Sequence, residues 1–441
     1  MYRTMYVGLL LIILVNPSGA QELSLAKAIE TALLNNYDIQ IQKADQGIAV
    51  IQNSWGTAGA LPTVDFSLTD NFSWDTEFSA SSETQRLSGA VTLNWLLFDG
   101  FAVQIRKNRL EDLQELSAGN TALLVENTIQ SVISAYYNAL LQREKLEVSQ
   151  DVMQLSQDRY NTAQERHELG SQTQYELLQA QNAFLEDKAR FLQQETTFRN
   201  SVRDINFLMG VSENIIYEFT DEFTIEPKNM KLDSLKKKML TNNQTLENQY
   251  INQALLEKNV NLEQSAWWPS LSVRTGYEKS ESIDANTQPF SSARDQEGVF
   301  ATLSLSWRLF DGGNRQRAVE VAKVERESGQ VSLASMKHSL VNRLYNFFEL
   351  YQVRKELLDV ADESLKAAEL NLQISEEKFQ AGAINSFNYR DVQLIYLNAA
   401  INRLNAVYNL IDAENALLKI TGGIISEYDA ENTYRDESFD F

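Results

Sequence analysis

An internal duplication constrains the fold of this chain more than any other feature of its sequence. The segment Trp95-Leu-Leu-Phe-Asp-Gly100 recurs 212 residues later as Trp307-Arg-Leu-Phe-Asp-Gly312, and the same spacing relates Gly170 to Gly382. A period of 212 residues is far longer than the repeat of a solenoid protein. The duplication therefore predicts one supersecondary unit that is used twice.

Each half of the chain changes its hydrophobic period in the same order. A helical pattern covers residues 22–56 and 232–266. Pro62 follows the first of these stretches and Pro269 the second, and each ends the helix because proline cannot continue one. Apolar residues then alternate with polar ones, which is the pattern of a half-exposed strand. The strands are expected at about 62–74, 86–98, 269–279 and 298–310, with polar loops at 75–86 and 280–297.

Long helices are expected after the strands. Asp99-Gly100 and Asp311-Gly312-Gly313 end the strands, and aspartate is a favoured residue at the start of a helix. Almost nothing breaks a helix between residues 313 and 379, where apolar residues recur every three or four positions, as in a coiled coil. At 1.5 Å per residue such a helix is about 100 Å long. Gly170 and Gly382 interrupt these stretches, so each half is expected to form a helical hairpin with its tip at that glycine.

The duplication and the two ends of the chain predict the domain organisation. Residues 1–20 contain a short apolar core followed by small residues, as in a secretory signal peptide. The expected order is a signal peptide at 1–20, a first repeat at 21–210, a linker at 211–231, a second repeat at 232–423 and an acidic flexible tail at 424–441. The chain has no cysteine, so we expect neither disulfides nor a lipid-modified N-terminal cysteine.

The predicted strands indicate a membrane and an oligomer. A strand of about 13 residues, at about 3.3 Å per residue and about 45° tilt, rises roughly 30 Å, which is the thickness of a hydrocarbon core. Membrane barrels have at least about eight strands, so four strands cannot close alone and two or three protomers would have to contribute. Trp95 and Trp307, near strand ends, are candidates for an interfacial aromatic girdle. The alternative is a soluble sheet in which these tryptophans are buried.

The ordered set of features resembles the TolC-like outer-membrane efflux protein family. The resemblance is carried by the duplicated Trp-x-Leu-Phe-Asp-Gly motifs, by the strand entries at Pro62 and Pro269, and by the tip glycines followed by Ala180-Gln181 and Val392-Gln393. It implies an α+β membrane protein, a homotrimer whose transmembrane strands form one β-barrel in the outer membrane of a Gram-negative bacterium. It also implies a tunnel of long coiled-coil hairpins that extends across the periplasm.

The function implied by the resemblance is that of a passive exit duct in a tripartite efflux or type I secretion system. Its partners would be two further copies of the chain, a periplasmic adaptor (a membrane fusion protein), an inner-membrane pump of the RND or ABC type, and outer-membrane lipid. No cofactor is implied. The helices alone would also suit a periplasmic coiled-coil scaffold or adaptor protein, which is the alternative to a channel.

The resemblance also implies roles for residues at the two hairpin tips. The residues expected to receive the adaptor are Leu169, Gly170, Ser171, Ala381, Gly382 and Ala383. Family members often carry acidic residues six and nine positions after each tip glycine, where they form rings at a constriction; these positions hold Glu176 and Gln179, and Asn388 and Asp391. The expected periplasmic gate is Asp391, Glu176 and Asn388, although Asn388 departs from the acidic pattern.

The composition argues against other classes of function. The 441 residues include 60 acidic and 39 basic side chains, a net charge of −21, whereas nucleic-acid affinity depends mainly on lysine and arginine. We therefore expect no nucleic-acid partner. The two histidines, His167 and His338, have no nucleophile at an informative spacing, and no phosphate-binding glycine motif is present. We expect that the chain is not an enzyme.

Overall fold

The computed structural model describes residues 21–77, 80–284 and 294–428. The predicted signal peptide at 1–20 lies outside these residues. The first half contains β1 (Gln21–Leu23), α1 (Leu25–Asn35), α2 (Tyr37–Gln52), α3 (Trp55–Ala58), β2 (Thr63–Glu77), β3 (Ala80–Asp99), α4 (Ala102–Glu168) and α5 (Gln174–Leu208). The second contains β4 (Tyr217–Phe219), α6 (Leu232–Asn242), α7 (Gln244–Ser265), β5 (Ser270–Asp284), β6 (Arg294–Ser306), α8 (Asn314–Gln380), α9 (Ser386–Ile420) and α10 (Ile424–Glu427).

The two halves repeat each other element by element. Helices α4 and α8 each have 67 residues, and helices α5 and α9 each have 35 residues. At 1.5 Å per residue, α4 and α8 are each about 100 Å long. Each long helix packs against the shorter helix that follows it. The predicted architecture, a duplicated unit of strands and long helical hairpins, is confirmed.

The aspartate of each duplicated motif begins the long helix that follows it. The Asp99 carboxylate accepts the backbone N–H of Val103 at 3.1 Å, and the Asp311 carboxylate accepts that of Arg315 at 3.1 Å. Each aspartate lies two residues before the residue that caps the helix, rather than at the cap position itself. Because the first N–H groups of a helix have no acceptor within the helix, these carboxylates fix the point at which the chain turns from strand to helix.

A second duplicated contact joins the short helices to the ends of the hairpins. The Asn36 side-chain amide donates to Leu208 O at 3.0 Å, and the Asn243 amide donates to Ile420 O at 3.0 Å. The side-chain oxygen of Asn36 also accepts two backbone N–H groups at the start of the next helix, and that of Asn243 accepts one. One side chain thus caps the start of one helix and donates to a C-terminal carbonyl of another. Both groups lack a partner within their own helix.

Glycine is required directly after these hairpin ends. Gly210 and Gly422 have φ angles of 65° and 69°, in the left-handed region that glycine adopts most readily. A Cβ atom at Gly210 would lie 2.4 Å from Asn35 O, and one at Gly422 would lie 2.1 Å from Asn242 O. The chain can therefore leave the hairpin against the short helix only at a residue without a side chain.

The sheet has four antiparallel strands in the order β2-β3-β5-β6. Residues opposite one another share a face, so Phe66, Val91, Tyr277 and Val299 form one row across it. All four side chains are exposed, and the same face carries Leu68, Leu303 and Leu305, also exposed. One side of the sheet is thus apolar and uncovered, and β2 and β6 each have one edge that pairs with no strand of the described chain.

The strands differ in extent from the sequence prediction. The β2–β3 ladder runs from Thr63–Asn94 to Glu77–Ala80, so most of the predicted polar loop at 75–86 belongs to strands. Strand β5 likewise continues to Asp284 and β6 begins at Arg294, within the predicted loop at 280–297. The alternation of apolar and polar residues ends before the strands do. The ladder of backbone hydrogen bonds continues beyond it, because these bonds need no apolar side chains.

Strand β6 ends at Ser306, four residues earlier than predicted. Its partner β5 begins at Ser270, which lies opposite Ser306 and directly follows Pro269. Residues 307–310 consequently have no residue of β5 beside them. Strand β3 reaches Asp99 only because its register shifts between Leu96 and Phe98, which inserts an extra residue as a β-bulge does.

The main core lies where α1, β1 and β4 pack against α4 and α9. Tyr136 at its centre is completely buried, and its hydroxyl donates to Leu23 O at 2.9 Å and also contacts the Asp221 carboxylate. Burial, reinforced by Asp221, raises the pKa of this hydroxyl, so it acts as a neutral donor. This contact and the parallel β1–β4 pair attach residues 21–23 to the inter-repeat linker.

The first residues of the predicted flexible tail at 424–441 form a short helix. Residues Ile424–Glu427 form α10, in which Ile424 is completely buried. The Glu427 carboxylate accepts a hydrogen bond from Lys228 Nζ at 3.0 Å. Burial of an isoleucine side chain contributes about 1.5–3 kcal/mol, which is why this segment packs. Residues 429–441 lie outside the described part of the chain.

Candidate functional site

The two hairpin tips have the same backbone geometry. Gly170 and Gly382 have φ angles of 71° and 73°, and no other atom would lie within 4 Å of a Cβ at either position. Ser171 N donates to Arg166 O at 2.8 Å, and Ala383 N donates to Lys378 O at 2.8 Å. This is the Schellman pattern, which ends a helix at a glycine. The residues predicted to receive the adaptor, Leu169, Gly170, Ser171, Ala381, Gly382 and Ala383, are all exposed.

Glu176, one of the predicted gate residues, caps the helix after the first tip. Its carboxylate accepts the Thr173 backbone N–H at 3.0 Å and the Thr173 hydroxyl at 2.9 Å. The Glu176 backbone N–H donates back to Thr173 Oγ1 at 3.3 Å, which completes a capping box. The hydrogen bonds from Thr173 lower the pKa of Glu176. Within one protomer this carboxylate stabilises the helix start.

Asn388 and Asp391 lie at the corresponding place after the second tip. Asn388 occupies the same capping position as Glu176, and its backbone N–H donates to Asn385 Oδ1 at 2.9 Å. Asp391 is exposed and makes no hydrogen bond or ion pair with any described residue. Of the three predicted gate residues, Asp391 alone presents a carboxylate without a partner in the described chain.

The structure brings the two tips of one protomer together. The rings of Tyr175 and Phe387, which are equivalent positions in the two repeats, lie 6.4 Å apart. Farther along the helices, the Arg390 guanidinium binds the Asp187 carboxylate with two hydrogen bonds of 2.6 and 2.9 Å. Since Asp187 belongs to α5 and Arg390 to α9, this bidentate pair joins the first hairpin to the second.

The cluster around Asp187 was not predicted from the sequence. Asp187 is 2% exposed, and Arg190 also approaches its carboxylate, with a nitrogen-to-oxygen distance of 3.3 Å. Arg159 on α4 is 4% exposed and donates to Ser386 O at 3.3 Å. Charged residues at these positions look like ordinary solvated helix residues, and only the packing of one hairpin on the other buries them.

Trp95 and Trp307, the predicted interfacial aromatics, have equivalent hydrogen bonds. The Trp95 indole N–H donates to Ala60 O at 2.9 Å, and that of Trp307 donates to Trp267 O at 3.1 Å. Both rings are exposed. The Trp95 bond thus joins β3 to the residue two positions before Pro62. The Trp307 bond joins the end of β6 to the residue two positions before Pro269.

Two further features bear on the class of protein. Within residues 21–77, 80–284 and 294–428, no group of three or more histidine, aspartate or glutamate residues is arranged to hold a metal ion. Among the helices of this same part of the chain, none combines the length and the apolar character that a membrane-spanning helix needs.

The family model of the outer membrane efflux proteins matches residues 28–211 and 235–423. These two ranges cover most of the chain and coincide with the two structural repeats. The chain therefore belongs to the outer membrane efflux protein family. It is an outer-membrane channel with a periplasmic helical extension, of the kind that serves tripartite efflux, and it is not an enzyme. The alternative of a periplasmic scaffold or adaptor is excluded.

Solved structures of such channels have the same fold. The chain is similar to CmeC of Campylobacter jejuni, with a TM-score of 0.75 and 14% identity over 94% of this chain and 90% of that one. It is also similar to the open state of MtrE of Neisseria gonorrhoeae (TM-score 0.69, 16% identity, 90% and 89% covered) and to VceC of Vibrio cholerae (TM-score 0.69, 13% identity, 90% and 96% covered). No curated protein matches the chain.

We predict that Asp187→Asn destabilises the packed hairpins, because it leaves Arg390, whose side chain is only 14% exposed, without its carboxylate. Removal of one partner from a buried ion pair costs about 3–5 kcal/mol. The matched control is Glu195→Gln, which breaks the exposed Glu195–Arg199 pair of the same helix and should change stability by less than about 1 kcal/mol. Thermal unfolding of the detergent-solubilised protein measures both; equal midpoints for the two variants would contradict the prediction.

Proposed function

We propose that three copies of this chain form the channel and that each contributes its four strands to one twelve-stranded barrel. The supporting observation is the pair of free edges on β2 and β6, because hydrocarbon does not tolerate unpaired backbone groups. The strands of one sheet alternate in direction, so β6 of one protomer can pair antiparallel with β2 of the next. The exposed apolar face of the sheet then contacts lipid.

The helices carry a second feature that fits self-association. On α8, Val353 and Val360 are exposed at a spacing of seven residues, and Ile374 continues the series. On α5, Leu178, Leu185 and Leu192 are exposed at the same spacing. A seven-residue apolar repeat is the contact surface of a coiled coil, so these rows suit helices of neighbouring protomers in a tunnel.

We further propose that the exposed tips receive a periplasmic adaptor, through which the channel joins an inner-membrane pump of the RND or ABC type. The support is the matching backbone of the two tips and the exposure of residues 169–171 and 381–383. Two equivalent tips per protomer give six around a trimer. A type I secretion system is served by the same arrangement, with the choice of cargo made by the pump.

The third part of the proposal places Asp391 at the periplasmic constriction. Its carboxylate is exposed and unpaired among the described residues, and three copies around a narrow pore would concentrate negative potential there. Glu176 and Asn388 line the same level of the proposed gate, where Glu176 is held by its capping box.

We predict that Val360→Glu prevents trimer formation, because it places a charge in the seven-residue apolar row, where Val360 is 65% exposed. Lys366→Glu, which puts a carboxylate on an exposed site of the same helix outside that row, is the control. Light scattering in detergent gives the mass of each assembly. A trimer of Val360→Glu as stable as that of Lys366→Glu would argue against the helix contact.

We predict that Asp391→Asn lowers the preference of the pore for cations. Loss of a potential of about 1 kT per unit charge at the constriction lowers cation access and raises anion access by about 2.7-fold each, so the cation-to-anion permeability ratio falls about sevenfold. The measurement is the reversal potential in planar bilayers under a salt gradient, with Glu363→Gln, an exposed acid far along α8, as the control. Unchanged selectivity would show that Asp391 is not part of the gate. Failure of the folded wild-type protein to conduct ions would refute the conclusion that it forms a channel.

We predict that a photo-reactive residue at Ala383, on the tip, cross-links to the adaptor in cells that express the intact system. The same residue at Lys366, on the shaft of the hairpin, should give no adaptor product. Mass spectrometry of the cross-linked species identifies the adaptor. Equal products from both positions would contradict docking at the tips.

A further inference from the structure

A pocket of about 320 Å³ lies between the two hairpins, beside the start of α9. Its polar lining includes Arg159, Gln179, Asn182, Glu186, Ser386 and Arg390. A volume of this size corresponds to about ten water molecules at roughly 30 Å³ each. It can therefore hold a small hydrated ion or an organic acid.

Arg159 supplies a buried positive charge that the described chain does not satisfy. The residue is 4% exposed, and its one hydrogen bond to a described residue joins Nη1 to Ser386 O at 3.3 Å. Its Nε is buried without a partner among the described residues. A guanidinium has five N–H donors, so most of its capacity is unused. Burial, and then repulsion by Arg390, lowers the pKa of Arg159 to about 10, which leaves it charged at neutral pH.

No described carboxylate is hydrogen-bonded to Arg159, and the attraction of Asp187 is outweighed by burial and by repulsion from Arg390. The Asp187 carboxylate is already bound by Arg390 through both oxygens, and Arg190 approaches it as well. Two guanidinium groups therefore share one buried carboxylate, and Arg159 lies close enough to Arg390 to be repelled by it. The acid that lines the pocket itself is Glu186, whose side chain is 68% exposed and lies 3.8 Å from Arg190. Its charge is screened by solvent much more than that of a buried group.

The start of α9 adds to the positive potential. Ser386 and Phe387 are the first two residues of this 35-residue helix, and both line the pocket. The first N–H groups of a helix have no acceptor within it, and the helix dipole places partial positive charge there. A buried, under-bonded arginine and a helix N-terminus thus face the same cavity from different hairpins.

We propose that this pocket binds a small carboxylate anion. The carboxylate accepts hydrogen bonds from the Arg159 guanidinium on the first hairpin and is attracted by the partial positive charge at the start of α9 on the second. Arg390 contributes its charge from the side of the Asp187 pair. A bound anion therefore links the two hairpins of one protomer close to their tips, at a place where the chain itself leaves positive charge uncompensated.

Binding can be measured on the detergent-solubilised mature protein by fluorine NMR. Trifluoroacetate is the carboxylate probe, and the neutral trifluoroacetamide, of nearly equal shape, is its control. We expect saturable line broadening of trifluoroacetate that unlabelled acetate reverses, and no saturable broadening of trifluoroacetamide. Absence of saturable broadening, or equal broadening of the neutral probe, overturns the proposal.

Variants locate the binding at this pocket. Arg159→Gln should weaken trifluoroacetate binding at least about tenfold, because it removes a charge-assisted donor. Arg199→Gln, which removes an exposed guanidinium elsewhere on the protein, should leave binding unchanged. Glu186→Gln should tighten binding about threefold, the size of an exposed charge interaction. This gain cannot result from misfolding. Equal affinity of Arg159→Gln and wild type, or weaker binding by Glu186→Gln, would refute the assignment.

Discussion

The structure depends on the constraint that every backbone N–H and C=O group needs a partner. Each repeat supplies two long strands, and together they make a four-stranded sheet with two open edges and one exposed apolar face. In water an open edge is tolerated, but in hydrocarbon each unpaired group costs several kcal/mol. The single chain is therefore incomplete as a membrane protein, and this is the physical basis of the proposed edge-to-edge pairing of copies.

The duplicated contacts also hold two helices of about 100 Å in a defined position. Each is fixed at its start by an aspartate that accepts the first helical N–H groups. The returning helix of each hairpin is fixed at its end by an asparagine amide and by a glycine against the neighbouring carbonyl. Because both repeats use the same contacts, the hairpins begin and end at equivalent levels, and their tips meet at Tyr175 and Phe387.

The candidate site was predicted only in part. The tip glycines could be predicted from local sequence, because a lone glycine after a long uninterrupted helix commonly ends that helix in the left-handed conformation. The capping role of Glu176 also follows a local pattern, a threonine three residues before a glutamate, and this role is separate from its predicted place at the gate. Arg159, Asp187 and Arg390 could not be predicted, because their contacts join residues more than 200 positions apart in the chain, and nothing in the local sequence distinguishes them from solvated charges.

The sequence by itself determined the duplication, the order of helix, strands and hairpin in each half, and the positions of the hairpin tips. These features depend on hydrophobic period, proline and glycine, which act over a few residues. The tertiary structure decided how far the strands extend, since β6 stops where Pro269 leaves it without a partner, and where the tail packs, since Ile424 enters the core. It also decided which charges are buried. Arg159 lies buried between the hairpins, with no carboxylate hydrogen-bonded to it among the described residues, because helix packing, and not local sequence, determines what surrounds a side chain.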